Sequence, residues 1–206
     1  AAVSFQQYID QNPKGSFTLK SQYLKAESLS LLKKYSEALS AYEMVIQQGR
    51  SVYLAPSLFK AALISYNQQQ DMNKAFKYYS QYIPQAESTE QEYEATLGAL
   101  RSAYKLKNAE DVYTMAAKVI EHPRASDDIR AIAHYDVAMM ALNTSAYTKA
   151  MESFNDVIRI NSAELAAESR YQIALIYDKQ DEPDLAAKLA EEAARANVGY
   201  PLWVAK

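Results

Sequence analysis

Tyr35-Ser-Glu-Ala38-Leu-Ser-Ala-Tyr42 returns as Met72-Asn-Lys-Ala75-Phe-Lys-Tyr-Tyr79 and again as Tyr147-Thr-Lys-Ala150-Met-Glu-Ser-Phe154. A fourth copy, Pro183-Asp-Leu-Ala186-Ala-Lys-Leu-Ala190, keeps the small residue and loses both aromatics. The underlying period is 36–38 residues. Such a period marks stacked supersecondary units, none of which can bury its apolar face alone. Within each copy the alanine and the residue four later share one helix face. The alanine lets a neighbouring helix approach closely, and the aromatic fills the wider space beside it.

Working outward, the rest of the chain reads as helix. It has 206 residues, of which 49% are hydrophobic, with only 4 glycines and 6 prolines. Both residues are costly inside helices, so their scarcity favours helix nearly throughout. The apolar spacing predicts helices over 1–10, 16–33, 35–48, 53–69, 71–86, 88–107, 109–122, 127–143, 146–160, 163–179 and 183–196, with another starting at 201. Turn signals at Asn12-Pro13-Lys14-Gly15, Gly49-Arg50-Ser51, Ile83-Pro84, His122-Pro123, Asn161-Ser162 and Asn197-Val198-Gly199 follow the second helix of each pair. Ser88 with Gln91 forms a capping box. Asp181 is expected to cap the helix that Pro183 begins, and Gly49 to end a helix in a left-handed turn. In the first helices, Tyr23, Tyr135 and Tyr171 each precede an alanine by three residues, at Ala26, Ala138 and Ala174.

These motifs resemble the tetratricopeptide repeat, whose consensus carries an aromatic, a small residue, a tyrosine, then A-x3-F and a terminal proline. The match spans five helix pairs at about 16–48, 53–86, 88–122, 127–160 and 163–196, with partial repeats at 1–13 and 200–206. At 88–122 either Val112 or Tyr113 takes the small-residue place. The resemblance implies an all-α, right-handed α-α superhelix in a single solenoid domain. The partial repeats suggest an excerpt of a longer array, whose uncovered ends could self-associate. Periods above 34 residues, and openings such as Phe5-Gln-Gln-Tyr8-Ile-Asp-Gln-Asn12-Pro13, are similar to repeats of bacterial cell-envelope lipoproteins.

Chemistry is sparse. There is no cysteine, hence no disulfide frame, thiolate site or cysteine nucleophile. His122 and His134 lack metal-ligand spacing, and no nucleophile-elbow, P-loop or dinucleotide motif occurs. No catalytic residue, metal or cofactor is expected. A net charge of −3 is too weak and mixed for a nucleic-acid surface, and the apolar run Val137 to Leu142 is far short of a membrane span. The acidic group Asp178, Asp181, Glu182, Asp184, Glu191 and Glu192 reads either as a solvated face or as a dock for a basic partner.

The family resemblance places Tyr23, Tyr135 and Tyr171 toward a concave groove, with Glu27, Lys60, Asn67 and Arg101 as polar candidates for its lining. The expectation is a non-catalytic scaffold holding a peptide or protein partner there, in the extracytoplasmic envelope of a bacterium. The alternative is a cytoplasmic regulatory domain that binds a small ligand or signal peptide. Ala150→Leu should overpack a helix crossing and cost roughly 1–3 kcal/mol, read as a lower midpoint in chemical denaturation. An unchanged midpoint would put the wrong residue at the crossing.

Overall fold

The computed structural model describes residues 1–160, 163–196, 198–200 and 203. Its helices are α1 (Ala2–Gln11), α2 (Thr18–Leu31), α3 (Tyr35–Gln47), α4 (Leu54–Ile64), α5 (Met72–Tyr82), α6 (Thr89–Leu106), α7 (Ala109–Glu121), α8 (Asp127–Asn143), α9 (Tyr147–Ile160), α10 (Ala163–Lys179) and α11 (Pro183–Ala196). Among the described residues no strand occurs. The expected turn at Asn161-Ser162, Asn197, and the helix start at 201 lie outside the described residues, Trp203 excepted.

The chain forms two compact units, Ala1–Leu106 and Lys107–Lys206. In the first, each of α1 to α6 packs on the next; in the second, α7 to α11 do the same, and α8 also touches α10. Connections of three residues force α2 and α3, α8 and α9, and α10 and α11 to run antiparallel, and the π turn with Gln70 and Asp71 does the same for α4 and α5. Ring contacts join the helices within these pairs: Tyr23 of α2 meets Tyr42 of α3, and Phe59 of α4 meets Tyr79 and Tyr82 of α5.

One turn is used five times. Lys33, Gln70, Lys107, Ser145 and Asp181 all have left-handed φ between 54° and 60°, and each sits two residues before a second helix. At three of them the next residue's N–H reaches back to close a six-residue loop: Lys34 to the Leu29 carbonyl at 2.9 Å, Ala146 to Ala141 at 2.8 Å and Glu182 to Tyr177 at 3.0 Å. Such closure satisfies carbonyls that the helix end would otherwise leave bare. Asp181 is therefore a turn residue and not the expected cap, since Glu182 stands between it and Pro183. Gly49 is left-handed as expected, φ 76°. The capping box at Ser88 forms, with Ser88 Oγ accepting from Gln91 N at 3.2 Å and Gln91 Oε1 accepting from Glu87 N at 3.1 Å.

The turn also fixes the register that the sequence left open. Counting from Lys107, Val112 holds the place of Ala38, Ala75, Ala150 and Ala186, while Tyr113 lies beside it. Ala38, Ala75, Val112 and Ala150 are wholly buried, and Ala186 nearly so. On the first helices Ala26 and Ala138 are wholly buried and Ala174 is 5% exposed. Tyr42 and Phe154 fill the space beside the alanines without exposure. In the second unit Phe154 clusters with Ala138, Ala141, Ala150 and Ile176. The helix expected over 53–69 does not end as a plain α-helix: Ser65–Gln69 widen into a π turn before left-handed Gln70.

Gly98, inside α6, shows how tightly one pair stacks on the next in the first unit. A Cβ there would lie 2.5–2.7 Å from ring carbons of Tyr79 on α5, a ring that is itself 4% exposed. Alanine would gain about 1 kcal/mol of helix propensity, but the aromatic ring has no free space to yield, and overpacking costs about 1–3 kcal/mol. Gly98→Ala should therefore lower the melting temperature, and Gly98→Ala in a Tyr79→Leu background should cost much less. Equal losses in both backgrounds would show that the ring does not set the requirement for glycine.

Candidate functional site

The first helices carry the residues singled out for a binding surface, and they fall into both units. Tyr23 and Glu27, one turn apart on α2, are brought together with Tyr42 of α3 and Tyr53 at the start of α4. The Tyr23 and Tyr53 rings stack with centroids 5.0 Å apart at 27°, and Tyr42 meets Tyr23 edge-on at 6.2 Å and 61°. Tyr42 donates its hydroxyl proton to Glu27 Oε1. Burial, and then the hydrogen bond and charge of Glu27, hold the Tyr42 hydroxyl far above the usual tyrosine range. Burial and Glu27 push Tyr23 up as well. Tyr23, Glu27 and Tyr53 remain partly exposed, whereas Tyr42 is sealed.

Lys60 is exposed on α4 and borders a hollow of about 320 Å³ with Val52, Phe59, Tyr82 and Gln91. Asn67 is exposed on the π turn, and Arg101 is exposed on α6, where its charge reaches the Tyr79 hydroxyl. In the second unit Tyr135 on α8 and Tyr171 on α10 are partly exposed. Tyr135 meets Phe154 edge-on at 5.8 Å, and Tyr171 lies tilted against Trp203 at 5.9 Å. The three tyrosines thus share a place and a mode of support, each braced by an aromatic from outside its own helix.

Several features escaped the sequence reading. Glu43 on α3 accepts from Lys74 Nζ at 2.8 Å and from the Tyr78 hydroxyl at 2.6 Å, tying the second helices of consecutive pairs together. Nothing in the sequence around Tyr78 marks Glu43 as its partner 35 residues away. Lys149 of α9 sits 3.3 Å from the Tyr113 ring centroid of α7, so the residue beside Val112 serves a cation–π contact instead of a crossing. His134 pairs with Asp156 at 3.3 Å, and burial lowers its pKa. Among the described residues no group of three or more His, Asp or Glu side chains can hold a metal ion, and no helix is long and apolar enough to cross a membrane.

No protein-family model and no curated protein matches the sequence. Solved structures do match. YrrB, a tetratricopeptide-repeat protein with an unusual peptide-binding site, is similar at a TM-score of 0.55 and 15% identity over 99% of this chain and 97% of that one. MamA is similar at 0.60 and 15% identity, over 88% and 92%. BtubC from P. vanneervenii is similar at 0.55 and 12% identity, over 96% and 87%. At such identities the likeness establishes the fold, and the chain has the tetratricopeptide-repeat fold.

The Glu43 contact has a pH signature. Burial pushes its carboxyl up, yet the hydrogen bonds and charges of Lys74, Tyr78 and Lys77 outweigh that and leave it below the ordinary value of 4.5. A depressed folded-state pKa means stability that is present above the unfolded value and lost as pH falls through the folded one. Glu43→Gln should therefore flatten the fall in melting temperature below about pH 4.5, with its largest deficit against the parent at neutral pH. Parallel curves from neutral pH down to pH 3 would show that the contact contributes no linked stability.

Proposed function

We propose that this chain is a non-catalytic interaction scaffold whose first-helix faces, in each unit taken by itself, take an extended or helical segment of a protein partner. The observation that carries this reading is the recurrence of Tyr23, Tyr135 and Tyr171 at one repeat position, each partly exposed and each braced by a second ring. A tyrosine held by a neighbouring ring has little rotamer freedom left to lose on binding. It can bury area against a partner while its hydroxyl keeps a polar contact. Repetition along a solenoid suits a partner of some length, gripped at successive places. Glu27, Lys60, Asn67 and Arg101 would supply polar selection beside these anchors. The peptide-binding description of YrrB, a protein of the same fold, supports the same class of partner.

The proposed setting is the extracytoplasmic envelope of a bacterium, where a chain without cysteine avoids mispaired thiols. A closed pocket with convergent polar groups would instead favour a small-ligand sensor. The hollow of about 480 Å³ lined by Ile9, Pro13, Leu19, Gln22 and Met44 opens to solvent and has no charged side chain but Lys14, which favours the scaffold.

Selection of a displayed dodecapeptide library on the folded protein tests the reading. Enriched peptides should bind Tyr23→Ala or Tyr135→Ala at least about tenfold more weakly, as expected for an aromatic hot spot, and should bind Lys118→Ala, at an exposed place on α7, unchanged. Peptides that bind both tyrosine variants undiminished would move the binding surface elsewhere.

A further inference from the structure

Two tyrosine–glutamate pairs in the first unit have opposite electrostatic fates. Glu43 receives Tyr78, and Lys74 lies 2.8 Å away as its counter-charge. Glu27 receives Tyr42 in the same way, but among the described residues it makes no ion pair. The charged and titratable groups acting on Tyr23 and Tyr42 are Glu27 and other tyrosines, with no lysine or arginine among them. Partly buried charges are ordinarily paired, because desolvation is costly without a counter-ion. Here a carboxylate is held by the hydroxyl of sealed Tyr42, and the Tyr23 hydroxyl also bonds to it; its two oxygens can still accept further N–H groups. Beside it stand the partly exposed, stacked rings of Tyr23 and Tyr53.

We propose that Glu27, Tyr23 and Tyr53 form a receptor for one lysine or arginine side chain of the protein partner. The carboxylate accepts the cation's N–H groups, and the aromatic faces contact its charge and its aliphatic stem. The Tyr23–Tyr53 spacing of 5.0 Å leaves no slot between the rings, so the cation lies over the outer face of the stack and against Glu27. The site rests on the scaffold reading above and gives its first unit a chemical preference: a basic residue in the bound segment.

The library selection described above can tell failure of the site from failure of the scaffold reading. Peptides enriched on the parent protein should share a lysine or arginine at one fixed position. Replacing that residue by norleucine or glutamine should weaken binding about tenfold or more, the usual loss for a hydrogen bond to a charged group. The same loss should appear with Glu27→Gln, which keeps an oxygen for the Tyr42 hydroxyl and should leave the melting temperature near that of the parent. The two losses should not add in the double combination, and raised salt should erode the parent's advantage. Enriched peptides that depend on Tyr135 but carry no conserved cation, or that bind Glu27→Gln undiminished, would overturn the cation site alone. A selection that enriches no peptide would overturn both readings.

Discussion

Close approach of two helices at a small buried residue is the constraint on which the remaining structure depends. Each second helix begins two residues after a left-handed turn, and its fourth residue is Ala38, Ala75, Val112, Ala150 or Ala186. The turn sets where the second helix starts, and the small residue sets how near it can come. Together they place the residue one helical turn further on against the first helix, where Tyr42, Tyr79 or Phe154 can be buried. Non-glycine residues in that left-handed turn carry some backbone strain, of the order of 1 kcal/mol each, and the burial that follows outweighs it.

Contacts between pairs then follow from the large rings. Tyr79 is buried against its own pair and also presses on Gly98 of the next helix, so one side chain serves both contacts. Tyr78, its neighbour, points to another partner and meets Glu43 with Lys74. The paired tyrosines thus join α5 to three other helices of the first unit, α3, α4 and α6. Among the described residues Glu27 makes no ion pair, whereas Glu43 has Lys74, and the proposed cation site starts from that difference.

Much of the fold was legible in the sequence. The all-helical repeat, its period and the crossing alanines can be read because helical spacing and turn chemistry are local. Helix limits came within a few residues of those found, and the seven candidate binding residues lie on first helices or, for Asn67, on the π turn that ends one. Local signals also had limits. Asp181 looked like a cap because aspartate before Pro183 suits one, yet the turn into α11 holds Asp181 in the left-handed conformation with Glu182 between it and Pro183. Val112 and Tyr113 were equivalent by pattern, and only the distance from Lys107 separates them.

Sequence by itself therefore determined the repeat architecture, since each helix and turn is encoded within a few neighbouring residues. Tertiary structure decided the rest. It chose which carboxylate found a lysine, which glycine faced a ring, and which tyrosines were sealed or left partly open. Those outcomes depend on side chains from separate helices meeting at distances of a few ångströms, as Glu43 meets Tyr78 at 2.6 Å. Neither residue's local neighbourhood encodes that meeting; it arises only once the helices between them have folded and stacked.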